Sequence, residues 1–233
     1  FAGIRDAGKR AQVQQARIAA IERIGEVVRE TGAAFVVVAG DLFDSPSADK
    51  STVAAACSAI GKLGVPVYAI PGNHDHGGPG SIWEQAFFQR EQAALAPNLT
   101  VLLEPVAVDC GSAVLLPCPL LRRTTVSDPT AWLRQADAVA GLDPGKPRIV
   151  LAHGSTQTFS GEWEDDEEAP AGANWIDLSK LPEGGIDYIA LGDWHGTRQI
   201  DAKAWFSGTP ELDRFPKGGD HDPGNVLVVE TER

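Results

Sequence analysis

Residues Val65–Gly77 read VPVYAIPGNHDHG, and the fold is decided on this stretch. Val65, Val67, Ala69 and Ile70 surround Tyr68 in a short apolar run that stops at Pro71-Gly72, the pattern of a strand buried on both faces. Asn73, His74, Asp75 and His76 follow at once. An amide, two imidazoles and a carboxylate therefore crowd the carboxyl end of one strand, which is where open α/β sheets bind ligands.

Three more runs have the same character. Ala34–Ala39 (AFVVVA) leads into Gly40-Asp41-Leu42-Phe43-Asp44, Arg148–Ala152 into His153-Gly154, and Tyr188–Leu191 into Gly192-Asp193-Trp194-His195-Gly196. Taken singly, a histidine at a strand end is more often a satisfied structural group than a ligand, and Gly-Asp or Gly-Asn pairs are ordinary turn formers. Four buried strands that each deliver a metal-ligand type at the same end reverse those odds.

The chain has 233 residues, of which 43% are hydrophobic, enough for a substantial core in one α/β domain. No apolar run approaches the roughly 20 residues that span a bilayer, and no secretory signal opens the sequence, so a cytoplasmic setting is expected. Cys57, Cys110 and Cys118 lack the paired spacing of a zinc site and read as buried thiols. A net charge of −12 repels polyanions, so a nucleic-acid substrate requires a local basic surface or a metal. Methionine is absent and the chain opens at Phe1, which reads as a fragment.

In chain order, the spacing of Val13, Ile18, Ile21, Ile24 and Val27-Val28 predicts a helix over Arg10–Arg29, closed by Thr31-Gly32. Ser45-Pro46-Ser47 signals a second helix from about Ala48 to Leu63. Ile82, Trp83, Phe87 and Phe88 form an apolar face on a short helix near Ser81, with Trp83 either packing there or stacking on substrate. The pieces LTVLL, VAVDC and AVLLP between Leu99 and Pro117 read as antiparallel strands of a second sheet. Arg122-Arg123 either contacts phosphate or forms a solvated turn. A helix is predicted from Pro129 to Val139. Glu162–Glu168 (EWEDDEE) reads as a solvated acidic loop or as a flap over a cleft. Ala202–Ser207 and Asn225–Glu230 read as strands, joined by a segment carrying Arg214, Lys217 and His221. His76 and His221 are expected on the surface. The predicted architecture is two sheets stacked face to face and flanked by helices, an α/β/β/α sandwich.

Asp41, Asn73, His153, Asp193 and His195 supply the carboxylate, amide and imidazole mixture that divalent cations take at phosphate sites. A pair of such cations shares one carboxylate, lowers the pKa of a water and clamps the oxygens of an in-line displacement at phosphorus. Asp41 is the choice for the shared carboxylate. His74, facing away from Asn73, suits contact with the phosphoryl group or the leaving oxygen, donating a proton or stabilising charge. Asp75 is expected to hold the His74 ring in its useful tautomer. Asp44 either supports a ligand in that way or caps its loop.

In this order, Gly40-Asp41-Leu42-Phe43-Asp44, Gly72-Asn73-His74-Asp75, Ala152-His153-Gly154 and Gly192-Asp193-Trp194-His195 resemble the successive motifs of the calcineurin-like metallophosphoesterases. The pattern is most similar to the bacterial SbcD-like DNA-repair exonucleases. The resemblance spans essentially the whole chain and implies a metal-dependent phosphodiesterase, with DNA as substrate and a partner ATPase subunit. It also implies two divalent cations, manganese first among magnesium, iron and zinc. Asp41 would bridge them; Asn73, His153 and Asp193 would hold the second, His195 the first, and His74 would assist catalysis. The sequence departs from the family at two places. The first motif, Asp-x-His or Asp-x-Gln, is expected just before Phe1, and Asp193 stands where the family usually has the first histidine of Gly-His-x-His. GDLFD lacks the Asp-Arg-Gly continuation of the serine/threonine phosphatases. The other functions weighed are a phosphoesterase for small phosphodiesters or nucleotides and a non-catalytic interaction subunit.

Overall fold

The computed structural model describes residues 6–135, 138–156, 172–182, 184–211 and 222–231. The acidic stretch Glu162–Glu168 and the side chains of Arg214, Lys217 and His221 lie outside the described residues.

The first helix, α1 (Ala7–Thr31), starts where Asp6 accepts the Lys9 N–H at 2.9 Å and ends where Gly32, at φ 66°, donates to the Val28 carbonyl at 2.9 Å. The left-handed residue at its close is the glycine read from the sequence. β1 (Val36–Ala39) follows. The predicted second helix starts later than Ser45: Ala48 N–H donates back to the Ser45 carbonyl at 3.3 Å in a turn, and Asp49 caps α2 (Lys50–Gly61) by accepting the Thr52 N–H at 2.8 Å. β2 (Val67–Ile70) then pairs with β1 in parallel. The helix expected near Ser81 divides at the extended Gln85 into a 3-10 turn (Ile82–Glu84) and α3 (Ala86–Leu95).

β3 (Leu99–Val101) corrects the sequence reading. It joins β2 in parallel as the third strand of the first sheet and does not enter the second. A three-residue apolar piece carries no mark of which sheet edge receives it, and here the Val67 N–H bond to the Asn98 carbonyl, at 2.8 Å, sets the pairing.

The second sheet begins with the antiparallel pair β4 (Val108–Asp109) and β5 (Val114–Cys118), and β6 (Arg148–His153) lies parallel to β5. Pro117 is tolerated in β5 because β4 covers only Val114 and Leu115, which leaves that edge free at the residue without an N–H. β7 (Ser155–Thr156) and β8 (Trp175–Ile176) form a small parallel pair. β9 (Tyr188–Gly192), β10 (Arg198–Gln199) and β11 (Ala204–Phe206) complete the larger sheet, in the order β10-β11-β9-β6-β5-β4.

Alternation explains the uninterrupted apolar runs. In β6, Ile149 and Leu151 join Ile70, Leu102 and Leu115 in the core between the sheets, while Val150 and Ala152 join Leu116, Cys118, Leu133 and Leu191 on the outer face. In β2, Ile70 faces the other sheet, and Val67 and Ala69 face Val53, Cys57, Ile60 and Phe88 under the helices. β1 packs on β6 and β9, so the four strand ends singled out by sequence come together.

Two predicted elements do not form as expected. The helix over Pro129–Val139 is, among the described residues, a single 3-10 turn at Ala131–Arg134. Asp128 binds Thr130 N–H at 2.9 Å and Asp177 N–H at 3.2 Å, and this side-chain bonding competes with helix propagation. Asn225–Glu230 forms no strand among the described residues, and Val228 and Val229 stay exposed. Cys57 and Cys118 are buried free thiols, while Cys110 is only half-buried. Among the described residues no helix is long and apolar enough to cross a membrane.

Candidate metal centre

His153 is the hub of the site. It continues the inter-sheet face of Ile149 and Leu151, so its ring leaves the end of β6 toward β1 and is only 1% exposed. There Nδ1 lies 2.7 Å from the Ala39 carbonyl. A carbonyl only accepts, so Nδ1 carries the proton and Nε2 is the nitrogen left for other chemistry. Around Nε2 stand Asn73 Oδ1 at 3.1 Å, Asp41 Oδ2 at 3.3 Å and Asp193 Oδ1 at 3.6 Å.

Three glycines make this convergence sterically possible. A Cβ on Gly40, where φ is +95°, would fall 2.1 Å from His153 Nδ1. One on Gly192 would fall 1.8 Å from the Ala39 carbonyl oxygen, and one on Gly72 would fall 2.1 Å from Asp41 Oδ1. The glycines preceding both aspartates thus keep space for the bond between His153 and Ala39. Asp41 and Asp193 themselves adopt φ of 54° and 102°, the first in the left-handed region that Asp tolerates and the second beyond it, a strained value for a residue with a side chain.

The carboxylates are further held by neighbours. The His74 N–H donates to Asp41 Oδ1 at 2.9 Å, and Ser155 Oγ donates to Asp193 Oδ2 at 3.3 Å. Burial alone would raise the Asp41 carboxyl, but the His153 charge and hydrogen bond, with help from His74, bring it below the usual range. Burial would lower the His153 imidazole, yet the carboxylate of Asp41, and then that of Asp193, push it up to about 10. Asp193 is raised, first by burial, with His153 opposing.

Those oxygens suit a cation. A metal with bonds of about 2.1 Å has ligand-to-ligand edges of roughly 3.0 Å when octahedral and 3.4 Å when tetrahedral. The separations of 3.1, 3.3 and 3.6 Å around Nε2 lie near those edges. Among the described residues no three His, Cys, Asp or Glu side chains already stand in finished metal geometry. Asp41 Oδ2 and Asp193 Oδ1 lie within ion-pair reach of His153 Nε2, at 3.3 and 3.6 Å.

The remaining predicted residues fall in different places. His195 follows on the Asp193 loop, its charge acts on the Asp193 carboxyl, and its backbone carbonyl is tied to Thr209 N–H at 2.9 Å. His74 is half-buried beside Asp41. Asp75 corrects the expectation. It is fully buried, and its oxygens accept backbone N–H groups from Gly72 at 2.7 Å and Phe43 at 3.0 Å, so it clasps the two ligand loops together and leaves the His74 ring alone. Burial and the nearby Asp41 charge raise its carboxyl to about 6. Asp44 lies 3.3 Å from Arg17 on the surface, in neither role weighed for it. Trp83 packs: it is buried against Phe43 and Phe88 at centroid distances of 5.6 and 5.1 Å, and its indole N–H donates to the Asp75 carbonyl. His76, expected on the surface, is half-buried. The sequence reading missed the Ala39 carbonyl, Ser155 and the steric office of the glycines. Ser155 carried a signal in its place two residues after His153, and the glycines in the Gly-Asp and Gly-Asn pairs that read as turn formers.

Among solved structures, TT1561 of Thermus thermophilus is similar at 15% identity and a TM-score of 0.49, covering 82% of this chain and 84% of that one. A second solved structure is similar at 12% identity and a TM-score of 0.48, covering 83% and 86%. The family described as Calcineurin-like phosphoesterase matches residues 14–197, a span that takes in Asp41, Asn73, His74, His153, Asp193 and His195. The chain accordingly belongs to the calcineurin-like phosphoesterases, a family of hydrolases that cleave phosphoesters with two divalent metals.

Proposed function

We propose that this member of the family is a phosphodiesterase and that its substrate is DNA, as the likeness of its four motifs to the SbcD-like exonucleases implies. The observation that carries the site is the gathering of Asn73, Asp41 and Asp193 around His153 Nε2 at 3.1, 3.3 and 3.6 Å. When bound, the cations supply positive charge for the phosphoryl oxygens and an acidified water.

The chain's own residues bind, orient and protonate. Asp41, at the junction of the β1 and β2 loops, would be the shared carboxylate; Asn73, His153 and Asp193 would hold one cation, and His195 with Asp41 would hold the other. The bond from His153 Nδ1 to Ala39 keeps Nε2 facing that set, as supporting hydrogen bonds do for metal-bound histidines. His74 places its backbone on Asp41 and leaves its ring to hold or give a proton at the leaving oxygen. Asp75 keeps the two loops at a fixed separation. The carboxylate of Asp193 makes the set richer in oxygen, which suits manganese or magnesium.

A second reading, hydrolysis of small phosphodiesters or nucleotides, is favoured by the net charge of −12, which opposes a polyanion. The test is turnover by the full-length protein with Mn2+ of bis(p-nitrophenyl) phosphate, a DNA oligomer and a cyclic nucleotide. Asp41→Ala should abolish all turnover, and His74→Ala should cost on the order of 10²- to 10⁴-fold in kcat. Cleavage of the small diesters without DNA would favour the second reading. No turnover with any divalent metal would refute both and leave the interaction-subunit alternative.

A further inference from the structure

Beside the metal centre, one segment is fastened to two ligand loops. β5 runs parallel to β6 with Cys118 opposite Ala152, so the chain that continues past Cys118 leaves the sheet at the same end as His153. Leu120 N–H then donates to the Pro71 carbonyl at 3.2 Å, and Gly77 N–H donates to the Leu120 carbonyl at 2.8 Å, bracketing the loop of Asn73 and His74. A Cβ on Gly78 would fall 2.4 Å from the Leu121 carbonyl oxygen, so glycine lets the segment close on that loop.

Asn174 fastens the other side. Its amide nitrogen donates to the Arg123 carbonyl at 3.0 Å, its amide oxygen accepts the Thr125 N–H at 2.9 Å, and its own N–H donates to the Thr125 carbonyl at 2.8 Å. Its carbonyl in turn accepts the Ser155 N–H at 3.2 Å, two residues after His153. Asn174 spends a left-handed conformation, φ 54°, and near-complete burial on this knot. Arg122 thus stands on a strap pinned on both flanks, to the His74 loop and to the turn after His153.

Its side chain is exposed and among the described residues meets no carboxylate, which is equally true of Arg23, Arg29 and Arg90 on the helices; what sets Arg122 apart is its place on the strap. In a chain of net charge −12, a guanidinium held at the ligand end of the sheet has an anion as its natural partner, and its planar fork matches a phosphate. A solvated turn needs no such fastening to two ligand loops.

We infer that Arg122 is a specificity-determining residue that binds a second phosphate of the substrate, next to the one being cleaved, and so selects oligonucleotides over isolated phosphodiesters. The inference rests on the phosphodiesterase reading above. The test compares wild type, Arg122→Ala and Arg122→Lys in the full-length protein with Mn2+, on bis(p-nitrophenyl) phosphate and on a short single-stranded oligodeoxynucleotide.

Arg122→Ala should raise KM for the oligonucleotide about tenfold, as for a lost charge-assisted hydrogen bond, and lower the slope of log KM against log salt by about 0.7. Its kcat, and both constants for bis(p-nitrophenyl) phosphate, should stay as in wild type. Arg122→Lys should recover part of the loss, since a point charge lacks the fork. A parallel loss on both substrates would overturn the inference and make the strap structural; an unchanged oligonucleotide KM would overturn it as well. Wild type that cleaves only the small diester would sink the inference and spare the phosphodiesterase reading, whereas wild type inert toward both would remove that reading and the inference together.

Discussion

Replacing Asp75 by alanine separates two roles that a carboxylate beside a catalytic histidine can have. The substitution strands two buried donors, Phe43 N–H and Gly72 N–H, at about 1–3 kcal/mol each. It also removes a carboxyl whose folded pKa of about 6 exceeds the ordinary 3.8, with burial as the largest cause. Such a carboxyl contributes fully below its unfolded pKa and loses that contribution as pH rises through the folded value. The loss amounts to about 3 kcal/mol by pH 7, of which roughly 1 kcal/mol falls between pH 5 and pH 7. The stranded donors cost the same at either pH. Asp75→Ala should therefore be less stable than wild type at pH 5, with the gap narrowing by about 1 kcal/mol at pH 7. Urea unfolding of the chelated protein at both pH values measures this. Should Asp75→Ala lose activity while its unfolding midpoint and pH slope match wild type, the carboxylate orients a catalytic group and the loop-clasp account fails.

Two further outcomes test the centre. His153→Ala should bind about one cation fewer per chain by elemental analysis, and wild type at pH 7 should release close to one more proton than the variant on metal loading, because Nε2 must give up its proton to ligate. Unchanged metal content would reject the assignment of His153. Gly40→Ala puts a Cβ 2.1 Å from His153 Nδ1 and should lower metal content as well as stability, whereas Gly32→Ala, also at positive φ but with nothing within 4 Å, should cost only about 1–2 kcal/mol and keep its metal. Equal metal content in the two variants would remove the steric role given to Gly40.

The strands that carry ligands were legible because strands buried on both faces read as continuous apolar runs and the Gly-Asp, Gly-Asn-His and His-Gly ends mark where each run stops. Helix α1 was legible for the same local reason, its apolar spacing and its closing Gly32. β3 was misplaced because a short apolar strand says nothing about which edge receives it, and the helix over Pro129–Val139 was over-read because Asp128 binds Asp177, 49 residues away.

Within the centre the same division holds. The chemical identities of Asp41, Asn73, His153, Asp193 and His195, and their places at strand ends, belong to the sequence, since burial pattern and turn chemistry act over a few residues. Which nitrogen of His153 faces the carboxylates, that Asp75 clasps loops 32 residues apart, and that Gly40, Gly72 and Gly192 exist to make room were decided only by the tertiary structure. These depend on β6 facing β1 across two stacked sheets, a contact between segments more than a hundred residues apart that no local pattern encodes.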